Sequence, residues 1–224
     1  MTRRTNARIA GLTFLLYIAV AFPGMVLLRA AAGEGIAAKL AGIAEHASEV
    51  RVAIVLLLIG NFCALVLAVT LYSITRDQDP DLAMMVLTCR TAEGVIGAVS
   101  LPRIAGWLWL ATAAGAGAPD PATTRVLGAF LLQLPSWSTS IGATFFAVGS
   151  TAFSYLLLRG RMVPVALAWV GVLASILLVV CLPLELAGFL HGPITQLMWL
   201  PMLAFEVPLG FWLIIKGAAA PATR

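Results

Sequence analysis

Six runs of apolar residues, each about as long as a helical membrane crossing, dominate this chain. They lie near Ile9–Leu28, Val52–Ile74, Ala83–Ala113, Ser138–Leu158, Val163–Pro183 and Ile194–Ile215. About 20 apolar residues in a helix span the roughly 30 Å of hydrocarbon in a bilayer. A lone span must satisfy its own backbone hydrogen bonds, so each run predicts an α-helix. The expected fold class is all-α, a polytopic transmembrane helical bundle with six spans. Residues 1–224 then form a single transmembrane domain. The third run is long enough to tilt, or to continue as a helix past Arg103.

Charge is correspondingly scarce. Only 11% of residues are charged and 61% are hydrophobic, whereas a soluble domain carries about 25% charged residues. With 14 Lys plus Arg and 10 Asp plus Glu, a chain of 224 residues cannot clothe a water-facing surface. This excludes a soluble α/β enzyme, a nucleic-acid module and a secreted disulfide scaffold. The net charge of +4 has no dense basic run behind it and does not point to nucleic acid. Cys63, Cys89 and Cys181 each sit inside an apolar run and read as small buried hydrophobes. No phosphate loop, serine elbow or dinucleotide fingerprint is present, and no cofactor is required.

Lys and Arg in the loops set the orientation. Placing the N-terminus inside puts Arg3, Arg4, Arg8, Arg76, Arg159, Arg161, Lys216 and Arg224 in the cytoplasm, against Arg29, Lys39, Arg51, Arg103 and Arg125 outside. Both termini are then cytoplasmic. The basic start and the small residues Ala30 and Ala32 resemble a secretory leader. The apolar run of about 20 residues exceeds the 7–15 of a leader's core, so an uncleaved span is expected. The inner loops are short, Arg76–Asp81 and Arg159–Met162, and the outer ones longer, Arg29–Arg51 and Ala114–Trp137. Any exposed pocket is therefore expected on the outer side. The segment Gly33–Arg51 has helical spacing and reads as an interfacial helix leading into the second span. Pro135 separates the apolar stretch before it from the fourth span.

Three charges have no topological duty: Arg90, Glu93 and Glu206. A charge at mid-bilayer costs at least about 2.5–3.5 kcal/mol on insertion scales, so it should face the bundle interior and be paired. Arg90 and Glu93 are three residues apart, on one helix face. Glu206 lies near the centre of the last span, between Pro201 and Pro208, where an irregular backbone is expected. Asn61, near the centre of the second span, could donate to either carboxylate. Arg90, Glu93, Glu206 and Asn61 form either a polar staple or a site for a solute, ion or proton. A further outer-face cluster of His46, Glu49 and His191 has the ligand types of a divalent metal site, or is a solvated interfacial face. The hydroxyl-rich fourth span, including Thr144, Ser150, Thr151 and Ser154, reads as close helix packing.

Four stretches carry a resemblance to a known family: ARIAGLTFLLYIAVAFPG at Ala7–Gly24, CRTAEGVIGAVS at Cys89–Ser100, the segment Ile141–Ser175, and LAFEVPLGFWLIIKG at Leu203–Gly217. The chain resembles bacterial multi-pass membrane proteins grouped as domain of unknown function 4386. That resemblance implies a six- or seven-span bundle in the bacterial cytoplasmic (inner) membrane, and no activity. Three functional readings stand together on the residues: a small-solute or ion carrier, a structural or regulatory membrane protein with a paired Arg–Glu staple, and an intramembrane enzyme on a lipid-like substrate. The lipid bilayer is the expected partner, with a small-molecule or ion ligand under the first reading. Protein partners and homo-oligomers are left open.

Overall fold

The structure is a computed structural model that describes residues 2–31, 33–113, 118–133 and 137–220. Ala32, Ala114, Pro135 and Arg224, named above, lie outside the described residues. Among the described residues every element is a helix: α1 (Arg3–Ala30), α2 (Gly35–Glu45), α3 (Ala47–Thr75), α4 (Pro80–Thr112), α5 (Pro121–Gln133), α6 (Trp137–Arg159), α7 (Val165–Leu186), α8 (Ile194–Leu197) and α9 (Leu200–Ile215). Six stretches are long and apolar enough to cross a membrane: Arg3–Ala30, Ala47–Thr75, Pro80–Thr112, Ser140–Arg159, Val165–Leu186 and Ile194–Ile215. The all-α bundle with six candidate spans is the fold.

Helix ends follow local capping chemistry rather than the edges of the apolar runs. Thr2 caps α1, its hydroxyl accepting from the Thr5 N–H at 3.2 Å, so the helix begins ahead of the first run. Asp79 caps α4 by accepting from Leu82 N–H at 3.2 Å, and Pro80 follows at the first turn, where a missing N–H costs nothing. The last span is two pieces, because turn residues Met198 and Trp199 separate α8 from α9. This corrects one expectation. The irregularity lies before Glu206, not around it, since Pro201 sits in the first turn of α9 and Glu206 occupies regular helix.

The six spans close into a ring. Each packs on the next in the chain, α1 on α3, α3 on α4, α4 on α6, α6 on α7 and α7 on α9, and α9 returns to α1. Phe14, Leu67, Leu71, Val86, Phe146, Phe153, Leu178, Phe205 and Leu209 fill the interior. Leu12, Phe22, Val55, Phe62, Val99, Leu173 and Phe211 stay exposed on the outside, the side that lipid would solvate.

Small residues let the backbones approach, as is usual where apolar burial cannot drive helix association in lipid. A Cβ on Gly11 of α1 would lie 2.5 Å from the Gly210 carbonyl oxygen of α9. A Cβ on Gly149 of α6 would lie 2.9 Å from the Cys89 Cβ of α4. The hydroxyls of Thr144 and Thr151 on α6 donate to the carbonyls four residues back, at 2.8 and 2.9 Å, and so close their own bonds. The cysteines are free, with Cys63 and Cys89 buried.

The two ends of the ring differ. At one end Arg3 pairs with Asp77 at 2.5 Å and donates to the Ala219 carbonyl, Arg159 pairs with Asp79 at 3.0 Å, and Ala219 N–H donates to the Met162 carbonyl. The described ends of the chain, at Arg3 and Ala219, and both short loops therefore share one face. At the other end α4 overshoots. Its 33 residues measure about 50 Å at about 1.5 Å per residue. The excess carries Ile104, Trp107, Leu108 and Ala111, on which Ile36, Leu40 and Ile43 of α2 and Leu131 of α5 pack. Lys39 of α2 lies over the Trp107 ring, 5.1 Å from its centroid. Burial, followed by the nearby Arg103 charge, pushes its ammonium below the usual lysine range. The segment read as an interfacial helix thus turns its apolar face to α4 and α5 rather than to lipid alone.

If the α1–α9 seam closes the ring, Gly11→Val should lower bundle stability by about 1–3 kcal/mol, the usual cost of overpacking a tight contact. Gly35→Ala, at a position with φ 81° but open space around it, is the control for backbone strain alone. Unfolding in detergent micelles followed by helical circular dichroism would show it. An unchanged midpoint for Gly11→Val would mean that the seam is not closed there.

Candidate functional site

Helix arithmetic brings the odd charges to one depth. Counting from the face that holds the termini, Arg90 lies ten residues into α4 and Glu206 nine residues from the end of α9. Both are therefore roughly 14–15 Å from that face. Arg90, Glu93 and Glu206 are all buried, at 1%, 7% and 5% exposure. The ring leaves them nowhere to turn but its interior.

Arg90 Nη1 donates to Glu93 Oε2 at 2.8 Å, a charge-assisted bond within one face of α4. The other oxygen of Glu93, Oε1, accepts from the Tyr17 hydroxyl of α1 at 2.9 Å. Tyr17 was not among the residues singled out from sequence. Its signal was a phenol in mid-span, which needs a partner where lipid offers none. The Phe146 and Phe14 rings flank the guanidinium, with centroids 4.8 and 5.8 Å from its central carbon. Phe14 lies one turn before Tyr17, so both reach the site from one face of α1.

Two features are unfinished. Arg90 Nε and Nη2 are buried without a hydrogen-bond partner. Glu206 stands within electrostatic reach of Arg90, Glu93 and Tyr17, yet among the described residues no hydrogen bond or ion pair reaches its carboxylate. Ser154 Oγ is also buried and unpartnered, against Gly171 and Phe205.

The remaining expected members fall elsewhere. Asn61 lies against α4 with its side-chain oxygen over Gly97, and no described bond links it to Glu93 or Glu206. At the end away from Arg3 and Ala219, His46 Nδ1 is 3.9 Å from Glu49 Oε1, too long for a hydrogen bond. His191 lines a separate open recess of about 340 Å³ with Glu185, Thr195 and Ser140. No group of three His, Cys, Asp or Glu suited to a metal occurs among the described residues, so His46, Glu49 and His191 are not gathered into a site. The recess does lie at the end away from the termini, where α7 finishes.

A family profile described as Domain of unknown function (DUF4386) matches residues 9–217. The chain belongs to the DUF4386 family. That match runs from Ile9 in α1 past the end of α9, so the buried cluster lies within it. No curated protein and no solved structure matches the chain.

The cluster makes a stability prediction. Glu93→Leu would strand a buried guanidinium and should cost about 3–5 kcal/mol. Tyr17→Phe removes one hydrogen bond to a charged group and should cost about 1.5–3 kcal/mol. Denaturation of the purified variants in micelles gives both values. A Glu93→Leu protein at least as stable as Tyr17→Phe would mean that the pair is not buried as described.

Proposed function

We propose that this membrane protein is a small-solute or ion carrier, with its substrate site at Arg90, Glu93 and Glu206 and with Tyr17 as an added member. The unpaired edge of Arg90 carries this reading. A buried donor left without a partner costs about 1–3 kcal/mol, more when it is charged. A staple would have used it. Arg90 and Glu93 belong to the same helix, so their ion pair locks no two helices together. Among the described residues the one cross-helix bond at the cluster is Tyr17 to Glu93, and it is the observation that favours the staple reading.

Purified protein in liposomes tests the carrier reading. Uptake of labelled propionate, alanine, choline and phosphate would be followed against protein-free vesicles. At least one should enter at least tenfold faster with the native chain, and Glu206→Gln, which keeps the side-chain volume, should abolish that excess. Equal uptake of all four probes by native protein, variant and empty vesicles would leave the staple as the better reading.

We further propose a bacterial cytoplasmic membrane location with the shared face of Arg3, Arg76, Arg159 and Lys216 inside, in line with the preference of Lys and Arg for cytoplasmic loops. Fluorescent protein fused after Arg224 should then glow in intact cells, and alkaline phosphatase at the same point should be inactive. The opposite pattern would invert the topology.

A further inference from the structure

We propose that the free edge of Arg90 binds a small carboxylate ligand, and that Glu206 competes with the ligand for that edge. The inference rests on the carrier reading and names its substrate class.

The chemistry begins with which nitrogens are free. Glu93 occupies the guanidinium through Nη1 alone. Nε and Nη2, the two buried nitrogens without a partner, lie along a single edge of the group. Their N–H bonds run parallel in one plane, and the two oxygens of a carboxylate match them as a fork. Glu93 therefore neutralises the charge of Arg90 without using its best recognition surface.

The surroundings select among anions. Phe146 and Phe14 crowd the guanidinium, with ring centroids 4.8 and 5.8 Å from Cζ. A carboxylate is flat and can approach in the guanidinium plane. A tetrahedral phosphate is bulkier, and beside these two apolar rings its further oxygens find nothing to solvate them. The site thus favours a carboxylate carried on a small apolar body.

The protein holds a carboxylate of this kind itself. Glu206 is buried, within electrostatic reach of Arg90, and without a bond among the described residues. Its helix starts from a break in the chain and carries a proline beyond the acid. The turn at Met198 and Trp199 precedes it, and Pro208 follows, with no N–H to offer the Ala204 carbonyl. In the exchange we propose, α9 has two positions: the one described, in which the Arg90 edge is free, and one that carries the Glu206 carboxylate onto that edge. A ligand carboxylate takes its place and releases α9. Exchange of one carboxylate for another makes one helix position depend on occupancy, which is what a carrier needs.

Thermal unfolding of the purified protein in micelles, titrated with sodium propionate at constant ionic strength made up with sodium chloride, tests this. Propionate should raise the native midpoint saturably, and phosphate and propylammonium should not. Glu206→Gln removes the competitor and should lower the half-saturating propionate concentration about tenfold. Arg90→Lys keeps the charge but lacks the fork, and should lose the shift. If Arg90→Lys does not fold, the native and Glu206→Gln titrations decide alone. No saturable propionate effect in either would overturn the proposal. So would an equal shift with phosphate, a shift with propylammonium in place of propionate, or unchanged affinity in Glu206→Gln. Propionate binding without any flux would remove the carrier reading and leave this one. Flux of another probe without propionate binding would do the reverse.

Discussion

Arg90 is the constraint around which the ring is organised. A guanidinium cannot shed its charge, and lipid offers it no partner, so every helix near it is committed. Glu93 neutralises it from the same helix, Tyr17 fixes the second oxygen of Glu93 from α1, and Phe14 and Phe146 cover it from α1 and α6. The close approaches that allow this are made by glycine. Gly149 brings α6 against Cys89, the residue before Arg90, and Gly11 and Gly210 bring α9 against α1. The surroundings of one charge thus depend on two helix crossings, and those crossings depend on residues with no side chain.

Much of the fold was legible because lipid imposes a simple rule. A run such as Val52–Ile74 has only one way to satisfy its backbone, and α3 duly covers it. What the rule cannot supply is which helix faces which. Asn61 shows this well. Its depth resembled that of Glu206, so it was grouped with the acids, but depth says nothing of azimuth around the helix, and it faces Gly97 instead. Tyr17 was missed for the opposite reason. Its span is apolar nearly throughout, so no periodic stripe marked the face that carries it.

The correction at the last span has the same origin. Pro201 and Pro208 bracket Glu206 in sequence and drew attention to that interval. Pro201 falls in the first turn, where the missing N–H costs nothing, and α9 runs unbroken through Pro208. The break fell instead at Met198 and Trp199, after the four-residue α8, where the described chain enters from the Gly192 turn. The segment Gly33–Arg51 teaches a related lesson. Its helical spacing predicted one interfacial helix, but the chain turns at His46 between α2 and α3, and the overlong α4 supplies the surface that covers α2.

Charge bookkeeping limits what the site can do. With both acids ionised, Arg90, Glu93 and Glu206 together carry a single negative charge in a medium that tolerates little. A carboxylate ligand cannot simply be added to such a set, because a second uncompensated negative charge would be buried. Either Glu206 withdraws as the ligand arrives, or a cation arrives with it. Under the proposed exchange, occupancy of the Arg90 edge is in both cases linked to the position or charge of a residue on α9, the helix that closes the ring against α1. A staple would have no reason for such a link. Its third charge would be a cost with no return, and replacing it by an apolar side chain would stabilise the bundle. The presence of Glu206, buried and bonded to nothing among the described residues, is therefore better explained by exchange than by locking.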